Sequence, residues 1–413
     1  MRKMKYSNSL KYMCGFPLSG ESIESSQRRL RALCQQLGRV ELGVKYIAVP
    51  EGSAGFATAT MLASVIRSAG HYVGLITSEY GYDPRASVMI NGSPASIEDF
   101  NSSVIAVKSA VNKLWEESFC REETVIAMGL LLCKLNACEY VILQGLSGKD
   151  STLDAVCAPF DLIVTPTVYG TDKTEDRLKS ICDLIRRGSR EVISGNQKSE
   201  VYNTISNACA VSGARLGIPV KAQFKITDIT ARSAVFSYGD REGFTIKSPS
   251  RLLREVAMTV IEAALALRRG GVKLPWSSIS GGLADVVGTH CFELLSVSPL
   301  VIIDSASDCA EVEMLLGTVE DIFGNGSGGV SVCIPRSAMP SLAAFGDKKT
   351  DSVLILSAEA VESEAKDGEI YFDSVKKCAK EAVRLMKSGK SLMCFGSVAF
   401  AAEIKAEINK IIN

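Results

Sequence analysis

Histidine is nearly absent from this chain of 413 residues, which contains only His71 and His290. Any mechanism that needs a histidine base or a histidine metal ligand must run through one of these two. His71, in "AGHYVGL", stands at a helix-to-strand turn and reads as a surface or capping residue, and His290 follows a Gly-Thr turn. An excess of one charge is absent as well: 46 basic residues balance 46 acidic ones. That balance removes the electrostatic reason to expect nucleic acid, an anionic membrane surface or a polyanionic partner. No apolar run approaches the roughly 18 to 20 residues of a membrane span. The opening "MRKMKYSNSLKYMCGF" lacks the apolar core and cleavage site of a secretory signal. Thirteen cysteines form no C-x-x-C pair and no Cys/His cluster with zinc spacing. They read as reduced thiols of a cytoplasmic protein without a metal centre.

What is present is length and alternation. A chain of this size has material for two or three domains with real cores. Apolar strand candidates include "KYIAV", "YVGLIT", "EYVILQG", "FDLIVTPT", "LVIIDSA", "VSVCIP", "SVLILSA" and "SLMCFGS". Helical stretches such as "EETVIAMGLLLCKLNA", "DRLKSICDLIRR" and "SVKKCAKEAVRLMKSG" lie between them. Near-continuous apolar strands alternating with helices predict parallel sheets covered on both faces. One stretch departs from this: "KAQFKITDITARSAVFSYGDREGFTIK", residues 221–247, alternates polar and apolar residues and predicts a small antiparallel sheet.

"VPEGSAGFATATMLASVIRSAGHYVGLIT", residues 49–77, has the build of a nucleotide-binding unit: strand, glycine-bearing turn, helix, strand. Such turns attract anions because backbone N–H groups and a helix N-terminus converge there. Met61, Leu62, Val65, Ile66 and Ala69 fall on one helical face. The turn contains no lysine, however, and Ala57 stands where a magnesium-binding hydroxyl is expected. Two other glycine-bearing stretches are weaker. "GNGSGG", 324–329, precedes a strand instead of following one and reads as a flexible connection. "LSGKDS", 146–151, lacks the first glycine of a phosphate loop, since Leu143 occupies its place.

In order and wording these segments resemble the folylpolyglutamate synthase/dihydrofolate synthase family of the Mur ligase superfamily. The likeness is carried by "IESSQRRLRALCQQLGRVELGVKYIAV", "MLASVIRSAGHYVGLITSEY", "VMINGSPASIEDF", "SPLVIIDSASDCAE" and "GSVAFAAEI", five segments in the family's order. The resemblance implies an α/β, Mur-ligase-like fold with a large, mostly parallel sheet, a small antiparallel sheet and a smaller Rossmann-like C-terminal domain. The expected division is 1–287 for the ATPase-type domain and 288–413 for the ligase domain, with "SSISGGLADVVGTH" as a hinge. It also implies ATP and magnesium as cofactors, and a reaction in which a carboxylate is phosphorylated and an amino acid, usually glutamate, attacks the acyl phosphate. Such chemistry needs a lysine and backbone donors on the γ-phosphate and ligands for the metal.

Carried over without gaps, the family's G-T-N-G-K-G-S/T loop falls on Glu51, Gly52, Ser53, Ala54, Gly55, Phe56 and Ala57, with Thr58 adjacent as a substitute hydroxyl. The lysine thus becomes Gly55. The "TSPH" turn reads Thr77-Ser78-Glu79-Tyr80, and the metal-binding glutamate becomes Gln144. Tyr169 and Gly170 take the places of an aspartate and a histidine, and Ile185 that of a carbamylated lysine. Leu252-Leu253-Arg254-Glu255-Val256-Ala257 replaces "H-Q-x-x-N-A", and Cys291 replaces an arginine. In the C-terminal turn Asp304 and Ala306 remain, while Ser307 and Asp308 replace histidine and asparagine.

Each lost group ordinarily contributes a few kcal/mol of transition-state stabilisation, and losses at every polar station accumulate. The sequence therefore predicts a non-catalytic, folylpolyglutamate-synthase-like protein. Its nucleotide loop (Glu51, Gly52, Ser53, Gly55, Thr58) and C-terminal turn (Asp304, Asp308) are vestigial. No catalytic residue and no metal ligand is assigned, and its partner is a small molecule or a protein. The alternative is a divergent ligase in which Lys149, Arg85 or Arg121 replaces the lysine and Asp154 binds the metal.

Overall fold

The computed structural model describes residues 5–17, 23–78, 84–114, 118–146, 159–169, 174–324, 329–346, 350–357 and 368–412. Eight strands form the first sheet: β1 Lys45–Val49, β2 Val73–Thr77, β3 Val88–Ile90, β4 Ser93–Pro94, β5 Tyr140–Gln144, β6 Phe160–Thr165, β7 Ser189–Ser194 and β8 Arg215–Gly217. Their order is β4-β3-β2-β5-β1-β6-β7-β8. The six strands from β2 to β8 pair in parallel, and β3 and β4 add an antiparallel hairpin at one edge. The hairpin turns through Asn91 and Gly92, both at positive φ (50° and 79°), the backbone that a two-residue turn between twisted strands requires. β1, β2 and β5 are buried almost throughout, as strands with helices on both faces must be.

Three further strands, β9 Phe224–Thr230, β10 Ser233–Tyr238 and β11 Arg241–Ile246, make the expected antiparallel sheet. Alternate residues Ala234, Phe236 and Tyr238 of β10 are buried, the period-two burial of a sheet with one covered face. The last sheet contains β12 Glu293–Val297, β13 Leu300–Ile303, β14 Val330–Pro335, β15 Thr350–Leu356, β16 Glu369–Phe372 and β17 Ser391–Cys394. Its order is β12-β13-β17-β14-β15-β16, parallel except for β12. The chain forms two compact units. One comprises Met1–Val168, Thr174–Pro219 and Met258–Leu283, the other Tyr169–Lys173, Val220–Ala257 and Ala284–Asn413.

Two local expectations change. The helix that follows β1, Ser53–Ser68, is buried on all sides from Ser53 to Ala59 and again from Met61 to Ile66, not along one face. A second helix backs closely onto it through a glycine: a Cβ on Gly282 would lie 2.4 Å from Val65 Cα. Gly282 itself belongs to a helix, Trp276–Ala284, so most of the segment read as a glycine-bearing hinge is helical. There glycine serves close packing rather than flexibility. No helix among the described residues is long and apolar enough to cross a membrane.

Candidate functional site

The carboxyl ends of β1, β2 and β5 meet where a parallel sheet ordinarily offers its ligand crevice. Val49 and Thr77 both register on Gln144. The turn leaving β1 is shorter than the residue pattern suggested. Only Pro50, Glu51 and Gly52 are non-helical, and the helix begins at Ser53. Gly52 carries the reversal at φ 104°, a conformation that favours glycine.

Side chains and backbone pack closely around this turn. A Cβ on Gly55 would stand 2.1 Å from the Pro50 carbonyl oxygen and 3.4 Å from Gln144 Nε2. Gln144 is fully buried. Its amide donates to the Pro50 carbonyl at 3.3 Å, and its carbonyl accepts the Thr77 hydroxyl. On the far side, the Ser78 N–H donates to the Gln144 carbonyl oxygen and the Gly145 N–H to that of Val49. Gly145 has φ 71°, and a Cβ there would lie 2.1 Å from Ser78 Oγ. The side-chain amide at position 144 is engaged internally, as donor and as acceptor.

The other loop residues fare similarly. Thr58 is fully buried and its hydroxyl donates to the Ala54 carbonyl one turn back, at 2.7 Å. Ser53 and Phe56 are buried, and Glu51 is exposed. One cation near the turn was not singled out from the sequence. Arg177, on the helix Thr174–Arg186, places Nη2 3.8 Å from where a Cβ on Gly52 would be. Its distance in the chain, 125 residues beyond Gly52, leaves no motif by which to find it.

The remaining stations are absorbed into packing. Ile185 is fully buried in the core around β6 and β7. Leu252 and Leu253 are buried, Arg254 donates to Asp321 at 2.8 Å, and the Tyr169 hydroxyl donates to Glu255 at 2.8 Å. Arg85 stacks over the Tyr6 ring at 5.3 Å, and Arg121 donates to the Cys14 carbonyl. Neither lies free to serve the turn. Glu79, Tyr80, Lys149, Asp154 and Gly170 fall outside the described residues.

In the C-terminal unit Asp304 is buried and accepts the N–H groups of Phe292 and Ala306, each at 2.7 Å. Burial pushes its carboxyl up to about 7, against those two hydrogen bonds and with the help of Glu311 and Glu293. Phe292 and His290 both adopt positive φ, 52° and 54°, so Asp304 holds a reversed backbone in place. Asp308 caps the helix Cys309–Phe323, accepting the Glu311 N–H at 3.0 Å, and Glu311 accepts from the backbone and hydroxyl of Ser307. This is helix-capping chemistry. Cys291 is buried against Ser305 Oγ at 3.3 Å, and burial raises its thiol well above the ordinary range. His290 lies 3.1 Å from Glu293, and His71 3.0 Å from Glu139. No cluster of three or more metal-ligating side chains occurs among the described residues.

No protein-family model matches the chain. A folylpolyglutamate synthase of Lacticaseibacillus casei is 21% identical over 363 residues, covering 84% of this chain and 83% of its own. A dihydrofolate synthase/folylpolyglutamate synthase of Escherichia coli (strain K12) is 24% identical over 314 residues, covering 75% and 72%. The apo form of the L. casei enzyme superposes with a TM-score of 0.80 over 99% of this chain and 100% of its own, at 17% identity. The chain thus has the Mur-ligase-like, two-domain α/β fold of the folylpolyglutamate synthases, as the sequence resemblance implied.

Proposed function

We infer that this folylpolyglutamate-synthase-like chain has kept the fold and given up ATP-dependent ligation. The observation that carries this reading is the triangle of Pro50, Gly55 and Gln144. A nucleotide loop needs outward-facing amides, a lysine and a hydroxyl at the metal. Here the close approach of Gly55 to Pro50 leaves no volume for a side chain, and the amide at the metal-ligand position is spent on Pro50 and Thr77.

The two glycines that the backbone demands, Gly52 and Gly55, also suggest a register one residue later than the ungapped one. In that register Phe56 takes the lysine position and Thr58 the hydroxyl position. In that register Gly55 coincides with a glycine of the family's loop, and the lost lysine at Phe56 and the amide at Gln144 carry the reading. Phe56 is buried, and the Thr58 hydroxyl is engaged with Ala54.

A divergent ligase remains the second reading, and Arg177 beside Gly52 is the observation that favours it, as a guanidinium able to replace the lost lysine. Calorimetric titration with Mg–ATP, together with an ADP-release assay containing folate and glutamate, separates the two. The non-catalytic reading expects no heat of tight binding and no ADP. Micromolar ATP affinity or glutamate-dependent ADP release, abolished by Arg177→Ala, would establish the divergent ligase instead.

A further inference from the structure

The helix Arg121–Leu135 ends in a turn that brings two cysteines together. Its close is made by two hydrogen bonds, from the Ala137 N–H to the Lys134 carbonyl at 3.1 Å and from the Cys138 N–H to the Cys133 carbonyl at 2.9 Å. Ala137 carries the left-handed backbone of this ending, at φ 51°. Together these form a Schellman motif, in which the side chains at the two ends of the outer hydrogen bond meet. That contact is ordinarily apolar. Here both positions are cysteine, and the two thiols are hydrogen-bonded to each other. The neighbouring strand leaves room for both sulfurs. Gly74 of β2 pairs with Val141, and a Cβ on it would lie 2.2 Å from Cys133 Sγ and 3.6 Å from Cys138 Sγ.

We propose that Cys133 and Cys138 are a peroxide-sensitive thiol pair that closes to a disulfide. Burial raises the thiols of Cys34, Cys120, Cys182 and Cys209, which makes such cysteines inert. The bond from Cys133 instead lowers the thiol of Cys138, against its burial. Access is short, because Leu135, Ala137 and Glu139 around the pair are exposed. In the first step the Cys138 thiolate attacks one peroxide oxygen and the O–O bond breaks. The leaving hydroxide takes a proton to become water, and Cys138 is left as a sulfenic acid. The Cys133 sulfur then displaces that oxygen as a second water and the S–S bond forms. Each sulfur loses one electron, and the two peroxide oxygens gain them. The pair stands at the amino end of β5, at the opposite end of that strand from Gln144.

The test treats the reduced full chain with hydrogen peroxide under native conditions, then alkylates it in denaturant and digests it with trypsin. Cleavage after Lys134 separates the two cysteines, so their disulfide joins two peptides. That linked species is expected, and dithiothreitol should release it, as it would not release sulfinic or sulfonic acid. Cys333 and Cys378 are the internal comparison: their sulfurs lie 3.1 Å apart, but both thiols are raised. The Cys133–Cys138 link should form about tenfold faster than theirs or more, as the thiolate is the reacting species. Cys138→Ala should leave Cys133 open to alkylation, and Cys133→Ala should leave Cys138 as a sulfenic acid trapped by dimedone. If either variant fails to fold, the wild-type map decides alone. Full alkylation of both cysteines after peroxide, faster linking of Cys333 to Cys378, or oxidation that dithiothreitol does not reverse would each overturn the proposal.

Discussion

Gln144 Nε2 donates to the carbonyl oxygen of Pro50 at 3.3 Å, tying the end of β5 to the turn that leaves β1. Replacing this amide by a carboxylate restores the residue type of a metal ligand and removes the donor. In Gln144→Glu two oxygens would face the Pro50 carbonyl in a fully buried position. The expected loss is about 1–3 kcal/mol of stability, the cost of an unsatisfied buried polar group. Urea unfolding with and without magnesium checks this. A variant stabilised by magnesium would show the metal site to be one substitution away.

Gly55→Lys tests the turn from the other side. With the Pro50 oxygen 2.1 Å from the incoming Cβ, the backbone has to shift before the ammonium reaches anything. Destabilisation of about 1–3 kcal/mol or more is expected from overpacking, with no gain of Mg–ATP affinity. Gly55→Ala should cost a similar amount, which separates the steric cause from the charge. Melting temperatures of the two variants, side by side, make the comparison.

Arg29 and Glu123 form an ion pair between the helices Ile23–Gln36 and Arg121–Leu135, at 2.7 Å and 3% and 0% exposed. Glu123 also accepts the Cys120 N–H at 3.0 Å. Glu123→Ala would leave a buried guanidinium without its counter-charge, and a loss of about 3–5 kcal/mol is expected. Replacing both partners, Arg29→Met with Glu123→Leu, should recover most of it. Equilibrium unfolding of the single and double variants gives the coupling directly.

Two aspartates of the C-terminal unit impose opposite pH dependences. Asp304 keeps its proton up to about pH 7, against an ordinary value of 3.8. Between these limits the folded state binds the extra proton, so the contribution of this group falls as pH rises from about 4 to about 7. Arg251 and Arg254 hold Asp321 down to about 2. Its contribution is present above pH 4 and disappears as pH falls toward 2. Asp304→Asn should flatten the first slope and leave the acid limb intact, and Asp321→Asn should do the reverse. Chemical unfolding at half-unit pH intervals reads both.

The fold was legible because its signals are local. "KYIAV", "EYVILQG" and "VSVCIP" are apolar runs of strand length and became β1, β5 and β14. "VMINGSPASIEDF" spelled a hairpin and then a helix capped by Ser96, whose hydroxyl accepts the Asp99 N–H. β7 gave no apolar run of strand length because "SREVIS" opens with three polar residues. The closed turn could not be read in the same way. The absent lysine was visible, but the contact of Gly55 with Pro50 depends on the exact backbone of the turn, and the bond from Gln144, 94 residues beyond Pro50, depends on how β1 and β5 pair. Arg29 and Glu123 are likewise 94 residues apart, and each alone reads as an ordinary helix-surface charge. The "GNGSGG" connection and "LSGKDS" lie largely outside the described residues.

The two ends of the eight-stranded sheet have a bearing on how this chain behaves at high concentration. β4 is two residues long and ends in Pro94, which has no N–H to offer, and β8 at the opposite edge spans only Arg215–Gly217. Long, unpaired strand edges recruit other chains by extending the hydrogen-bond ladder, and short edges interrupted by proline resist it. The buried apolar strands β1, β2 and β5, the most β-prone segments of the unit, sit at the centre of that order. This sheet therefore keeps its aggregation-prone strands away from either edge, and it offers no long edge strand by which two copies could pair.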